Sequence, residues 1–416
     1  MSYQNTTRWA ALLLSATLIT ACGSNDDDQS TTSATVKSYE KSVAGVVEAA
    51  DAFLGTLTDD EKSSAQLEFT QEKAVAWSNL PCGSTCRPGV QLGTLDDDQV
   101  AAAKSVLLTA LGTGDGTGYE RVEQIFLADD YLGSVQASSS TSSSGTTSSG
   151  SSGGAMQSGA APGGSGGPGG SGGPGGSGGP SGAMPSGGSA SGGSSGLGGY
   201  GSGNYYMAFL GEPSTTGTWQ LHFGGHHLAV NITYAAGKVE GISPYFVGVE
   251  PTSWTDSDNA SHAPLADMKT AMAAMTASLT TAEQAKAKLS QSFTDVLIGP
   301  GEDGQFPATK LGLAVSTLTA AQKKLVLAAI KPWVANADDA TATSLMTTYE
   351  SELDKTYIGW SGTLGLTKHA DYVRIDGPSV WVEFVCQNGV VLQSQIHYHT
   401  IYRDHTRDYG GEFTFS

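Results

Sequence analysis

Residues 380–389 read Val380-Trp381-Val382-Glu383-Phe384-Val385-Cys386-Gln387-Asn388-Gly389. A β-branched and aromatic run that ends in Asn-Gly is a strand entering a tight hairpin. The type I′ turn needs positive φ at both central residues, and Asn-Gly tolerates it. A return strand is expected over 390–402. Working outward, further strands are expected over 205–210, 219–223, 227–234, 245–249 and 372–375, with Ala236-Gly237 marking a second hairpin. Short connections between most of them imply antiparallel pairing. Nearly all strand signal therefore lies after Asn204.

The residues before it, 35–136, read as helices only. Leu57-Thr58-Asp59-Asp60-Glu61, Leu95-Asp96-Asp97-Asp98-Gln99, Leu279-Thr280-Thr281-Ala282-Glu283 and Leu318-Thr319-Ala320-Ala321-Gln322 share one form. Each sets Thr or Asp three residues before Glu or Gln, the capping-box spacing that satisfies orphan backbone N–H groups at a helix start. Four ordinary helix starts explain these better than a functional repeat. Further helices are expected over 36–54, 118–132 and 338–354. A helical layer that covers one face of a sheet accounts for both parts at once. The fold class expected is α+β: a helical N-terminal layer packed on a mainly antiparallel sheet, in one composite domain.

Between 137 and 203 the chain is almost entirely Gly, Ser, Pro and Ala, with three tandem Gly-Gly-Ser-Gly-Gly-Pro copies from Gly163 to Pro180. Such a composition cannot bury a core, and a coil of about 65 residues has a mean span of roughly 45 Å. It is expected as a disordered insert within the composite domain formed by 35–136 and 204–416.

The start of the chain reads as an export signal over 1–21. Arg8 gives a positive region, residues 10–20 a short apolar one, and Ile19-Thr20-Ala21-Cys22 a small-residue site before a cysteine. About eleven apolar residues are too few for a spanning helix, which needs roughly 20. Lipid on Cys22 is the expected anchor, followed by a flexible tether over 22–34. Gly23 rather than Asp after the cysteine favours the outer membrane where the cell has one. The expected location is thus exported and lipid-anchored in the cell envelope, with the membrane contacted through lipid alone.

The net charge of −19, with no basic cluster, argues against nucleic acid as a partner. Of four cysteines, Cys82 and Cys86 flank Gly83-Ser84-Thr85 and are expected as a local disulfide in an oxidising compartment. Cys386 is expected as a buried free thiol.

The eight histidines are unevenly placed. His222, His226 and His227 lie around Gly224-Gly225, and His397, His399 and His405 lie near the end. Residues two apart on a strand share a face, so His397 and His399 offer imidazoles side by side, a spacing that suits a first-row metal. On extended backbone His226 and His227 point to opposite faces, unless the Gly224-Gly225 turn bends them together. Glu383 is a lone carboxylate in an apolar strand, costly to bury without a partner, and alternation leaves its burial open. The candidate ligands are His226, His227, His397, His399 and Glu383, for zinc, iron or copper. Arg403 and Asp404 are candidate substrate contacts, since a guanidinium fork can clamp a carboxylate. A metal-free hydrogen-bonded network is the rival.

At these residues the chain resembles domain-of-unknown-function family 3500. The matching motifs are Phe223 to His227, Arg374-Ile375-Asp376-Gly377-Pro378, Glu383-Phe384, and His397-Tyr398-His399 with Arg403-Asp404. The resemblance covers most of 40–136 and 204–412 and skips the Gly/Ser/Pro stretch. His222 lies outside its pattern and is demoted as a ligand. The family implies no activity. Gly-x-Ser-x-Gly in a strand-to-helix context, His-Glu-x-x-His and phosphate-cradling glycine loops are all absent. The expectations are a metal-dependent enzyme acting on a small molecule or, alternatively, a non-catalytic metal- or solute-binding lipoprotein. A structural surface protein ranks last.

Overall fold

The computed structural model describes residues 34–142 and 199–415. The expected signal peptide, Cys22, almost all of the tether and most of the insert lie outside the described residues. No helix among the described residues is long and apolar enough to cross a membrane.

The fold is α+β. The helices used below are α1 (Val43–Thr56), α2 (Asp59–Ala65), α3 (Asp97–Ala110), α4 (Gly118–Ser142), α5 (Ala266–Ala277), α6 (Thr281–Ala287), α7 (Ala320–Val334) and α8 (Asp339–Glu352). The main strands are β1 (Tyr206–Leu210), β2 (Thr218–Gly225), β3 (Leu228–Ala235), β4 (Tyr245–Val249), β5 (Tyr357–Ser361), β6 (Tyr372–Asp376), β7 (Val380–Asn388) and β8 (Ile396–Asp404). They lie in the spatial order β1-β2-β3-β4-β8-β7-β6-β5, antiparallel throughout. Gln66–Leu67 adds a parallel edge beside β1, and Leu313–Ala314 an antiparallel edge beside β5.

All four capping boxes form, at Thr58/Glu61, Asp96/Gln99, Thr280/Glu283 and Thr319/Gln322. They are also coupled in pairs, which the sequence spacing alone does not reveal. Gln99 donates to the Thr56 carbonyl and to Glu61, and Gln322 donates to the Ser278 carbonyl and to Glu283. All four are thus ordinary helix starts, joined in two pairs. Apart from Gln66–Leu67, the short helix Gln71–Ala74, the turn Gly83–Thr85 and the strand Lys238–Gly241, which have no counterpart in the second half, the order α1, α2, short strand, 3₁₀ turn, α3, α4, four main strands recurs as α5, α6, short strand, 3₁₀ turn, α7, α8, four main strands. The two halves meet where β4 pairs with β8.

Three expected boundaries are corrected. Helix α4 runs to Ser142, past the expected start of the insert, and the chain re-enters with Tyr200 buried against it near Gly133. Asn388-Gly389 does not make a two-residue turn: β7 runs through Asn388, Gly389 N–H bonds the Gln395 carbonyl, and β8 starts only at Ile396. The strand β5 has no counterpart among the expected strands.

The two faces of the sheet differ in chemistry. Phe209, Leu221, Val230, Val247, Tyr402, Val382 and Ile375 face the helices in one large core. The opposite face carries His222, His399, Arg403, Glu383 and Arg374, and all five are buried. Segments around Trp77, residues 289–303 and the tail after Asp404 cover that second face, with Phe246, Ile401, Trp77 and Tyr409 in a smaller apolar cluster.

Candidate metal centre

The turn between β2 and β3 consists of His226 and His227, because Gly225 pairs directly with Leu228. His227 has φ 64°, the left-handed conformation, and this reverses the chain so that adjacent residues no longer point to opposite faces. The two rings stack with centroids 3.7 Å apart. Backbone bonds fix the turn: His227 N–H donates to the Asn79 carbonyl at 3.2 Å, and Gly248 N–H donates to the His227 carbonyl at 2.8 Å.

His397 and His399 project from one face of β8, as their spacing requires, with Nε2 atoms 3.2 Å apart. The rings of His227 and His399 have centroids 5.1 Å apart, and those of His227 and His397 5.4 Å. One ring nitrogen from each of His227, His397 and His399 lies within 4.8 Å of the other two, and all three residues are buried. A tetrahedral zinc with bonds of about 2.1 Å separates its donors by about 3.4 Å. The His397–His399 pair is already near that separation. These three side chains can hold a metal ion.

Space for the cluster depends on Gly248, which pairs with His399 across β4 and β8. A Cβ there would lie 2.9 Å from both His227 Cδ2 and His399 Cδ2 and 2.8 Å from the Tyr398 carbonyl oxygen. Burial holds His227 well below the ordinary histidine range, with His226, His399 and His397 adding to the effect. Burial, then the charge of His399, pushes His397 down to about 3. Both are therefore neutral at pH 7, the form that ligates metals.

His399 Nδ1 faces the Asp295 carboxylate at 2.9 Å, the Gln387 amide nitrogen at 2.9 Å and the Asn79 amide nitrogen at 3.4 Å. Donation from Nδ1 to Asp295 leaves the Nε2 lone pair free, the carboxylate–histidine arrangement that orients metal ligands. The Asp295 side chain is half-exposed, and partial desolvation alone would raise its carboxyl. The hydrogen bond and charge of His399, with help from Val296 N–H and Gln387, outweigh it and hold the group below its ordinary value.

The remaining candidate residues are placed elsewhere. His226 is not among the three converging nitrogens: its Nδ1 meets Asp129 at 2.6 Å, and Tyr200 packs edge-on against its ring. Glu383 is buried but is not part of the group. Its oxygens accept from Leu297 N–H at 2.5 Å, Ile298 N–H at 2.9 Å, Trp381 Nε1 at 2.7 Å and Tyr372 Oη at 2.8 Å. Burial raises its pKa against those four bonds. Arg403 is fully buried and donates to the Ile298 and Gly299 carbonyls and to Asp303 and Asp408. Asp404 accepts from Thr406, Arg407 and Tyr349. Among the described residues both are engaged by the protein's own groups. Glu383 and Arg403 clamp residues 297–299 from two sides, and Asp295 lies two residues before that segment. His405 lies near Asp376 and stacks on Phe306, and His222 is buried beside Asn231.

Asp295, Asn79 and Gln387 have no signal in the sequence, since none falls in a periodic pattern with the histidines. Cys82 and Cys86 form a disulfide with Cα atoms 6.1 Å apart. Arg87 reaches back from it to the Ser78 and Leu80 carbonyls, pinning the segment that carries Asn79. Cys386 is free and buried, its thiol pushed up to about 12 by burial.

No curated protein and no solved structure matches the chain. One family model spans the converging histidines, the segment that braces them and the helical layer behind. The chain belongs to DUF3500, a family of proteins of unknown function whose model matches residues 39–411.

Proposed function

We propose that the chain is an exported, lipid-anchored protein of the cell envelope that binds a first-row transition metal (zinc, iron or copper) on His227, His397 and His399 and uses it on a small molecule. The observation that carries the reading is the convergence of three buried imidazoles, one of them braced by a carboxylate. Three protein ligands are the pattern of catalytic zinc, which keeps a fourth position open, whereas structural sites use four. A metal held there supplies Lewis acidity or redox chemistry. The chain's own part is to keep two imidazoles neutral and to fix the third through Asp295.

A second reading, capture of a metal without catalysis, is favoured by the burial of all three ligands, each under 5% exposed. Elemental analysis of protein purified without a histidine tag tests the common part. About one equivalent of metal is expected, lost in the His397→Ala, His399→Ala double variant. Absence of metal after loading would leave only a hydrogen-bonded histidine network. Cobalt-substituted protein then separates the two readings, because azide shifts the visible spectrum only if a coordination position is open. Attachment is tested by Cys22→Ser, which should move the protein from the membrane to the soluble fraction.

A further inference from the structure

A second cavity lies on the helix-facing side of the sheet, away from the histidines. Its volume is about 370 Å³, and it is framed by the start of α1, the start of α8, the Lys238–Gly241 strand and Arg407. Its walls are apolar, with Val43, Val46, Val239 and Leu345. Its charged lining is Lys41, Lys238 and Arg407 against Glu240 and Asp338, three positive against two negative, in a chain whose net charge is −19. The N-termini of two helices open toward it, and such ends favour negative charge.

The groups there are unequally occupied. Lys41 donates to the Leu108 and Leu111 carbonyls, and Asp338 caps α8 through Thr341 N–H. Among the described residues Arg407 hydrogen-bonds through Nη1 only, to Asp404 and Thr406, and the Lys238 ammonium has no ion pair. Tyr234 also lines the cavity. The residue is 1% exposed, and its hydroxyl has no partner among the described residues. The hydroxyl is closed off from solvent, so Tyr234 contributes to the wall and not a polar contact. Burial holds the Tyr234 phenol far above its ordinary range, so it is neutral at any physiological pH.

We propose that this cavity binds a small organic monocarboxylate with an apolar body. Lys238 and Arg407 hold the carboxylate, and the valine and leucine walls cover the body. Among the described residues the Lys238 ammonium is the one lining cation with neither a carbonyl nor a carboxylate partner, since Lys41 and Arg407 are already engaged, and a single free cation suits a monoanion better than a phosphate dianion. The volume falls in the range of small-molecule sites, roughly 300–1,000 Å³.

Calorimetric titration of the full-length, metal-loaded protein with hexanoate, 1-hexanol and inorganic phosphate tests this. Hexanoate should bind one-to-one, at least about tenfold more tightly than hexanol or phosphate, as expected for a charge-assisted contact. Lys238→Met, on an exposed side chain, should weaken hexanoate by about tenfold and leave the melting temperature unchanged. His397→Ala should leave hexanoate binding intact, which separates this site from the metal centre. The proposal is overturned if hexanoate fails to bind at millimolar concentration, if hexanol binds equally well, or if Lys238→Met binds as tightly as the parent.

Discussion

Replacing Glu383 with glutamine keeps the shape of the side chain and turns one acceptor oxygen into a donor. Oε2 now takes Leu297 N–H and Tyr372 Oη–H, and Oε1 takes Ile298 N–H and Trp381 Nε1–H. The cheaper orientation puts the new NH₂ at the Oε2 position, because the Tyr372 hydroxyl can turn and accept from it. Leu297 N–H is then left facing the second amide hydrogen without an acceptor, at a cost of about 1–3 kcal/mol. Removing a charge from the core, where burial already raises the carboxyl, offsets part of this. A net loss of about 1–2 kcal/mol in the metal-free fold is expected. The larger effect should appear at the metal. Leu297 lies two residues from Asp295, so loosening that segment frees the carboxylate that orients His399. Loss of such outer partners weakens metal affinity by about 10–100-fold. Zinc competition against a chelator at neutral pH, alongside thermal melts of metal-free protein, reads both quantities. Asp295→Asn should reproduce the affinity loss with little change in the melt. If Glu383→Gln lowers the melt but zinc affinity stays within about twofold of the parent, the clamp does not act on His399 and the reasoning fails.

Other perturbations follow from the same geometry. Gly248→Ala drives a methyl to within 2.9 Å of both His227 and His399, so zinc affinity should fall more than about tenfold, with an overpacking cost of about 1–3 kcal/mol in the melt. Burial pushes His222 down to about 4. Its folded pKa lies below the unfolded value of about 6.5, so the unfolded chain takes up protons first. Stability is complete above that pH and lost as pH falls toward about 4, by up to about 3 kcal/mol. Denaturant titrations across this window should show a shallower pH slope in His222→Gln, whatever its absolute stability. Cys82 and Cys86 are four residues apart, and the small loop they close is worth about 2 kcal/mol. Replacing both with serine should cost that in a melt and weaken zinc severalfold, because the segment carrying Asn79 is no longer pinned.

What the sequence made legible follows from periodicity. The four capping boxes and the side-by-side placement of His397 and His399 depend on spacings of three and two, which local backbone geometry obeys wherever the element sits. The partition of His226 and His227 was not legible, because it turns on one positive φ at His227. Glu383 stayed ambiguous because alternation predicts one wet face, whereas this sheet is covered on both, so Trp381 and Glu383 are as buried as Val382 and Phe384. Arg403 and Asp404 looked like ligand contacts because charge density is visible in sequence while its internal pairing is not. Asp295 and the cavity beside Tyr234 arise only from chain segments far apart in sequence. Helix α4 runs on to Ser142 through serine-rich sequence of weak helix propensity because extending a helix already nucleated costs little.

The join between β4 and β8 has a consequence for how the protein matures. His227, Gly248 and Asn79 come from the first half of the chain, and His397, His399 and Asp295 from the second. Neither half owns a full ligand set, so a nascent or truncated chain has nowhere to seat the ion. Uptake is possible only after the seam has zipped, and bound metal would then lock it shut, favouring the finished molecule by mass action. Metal content is in that sense a receipt for completed folding.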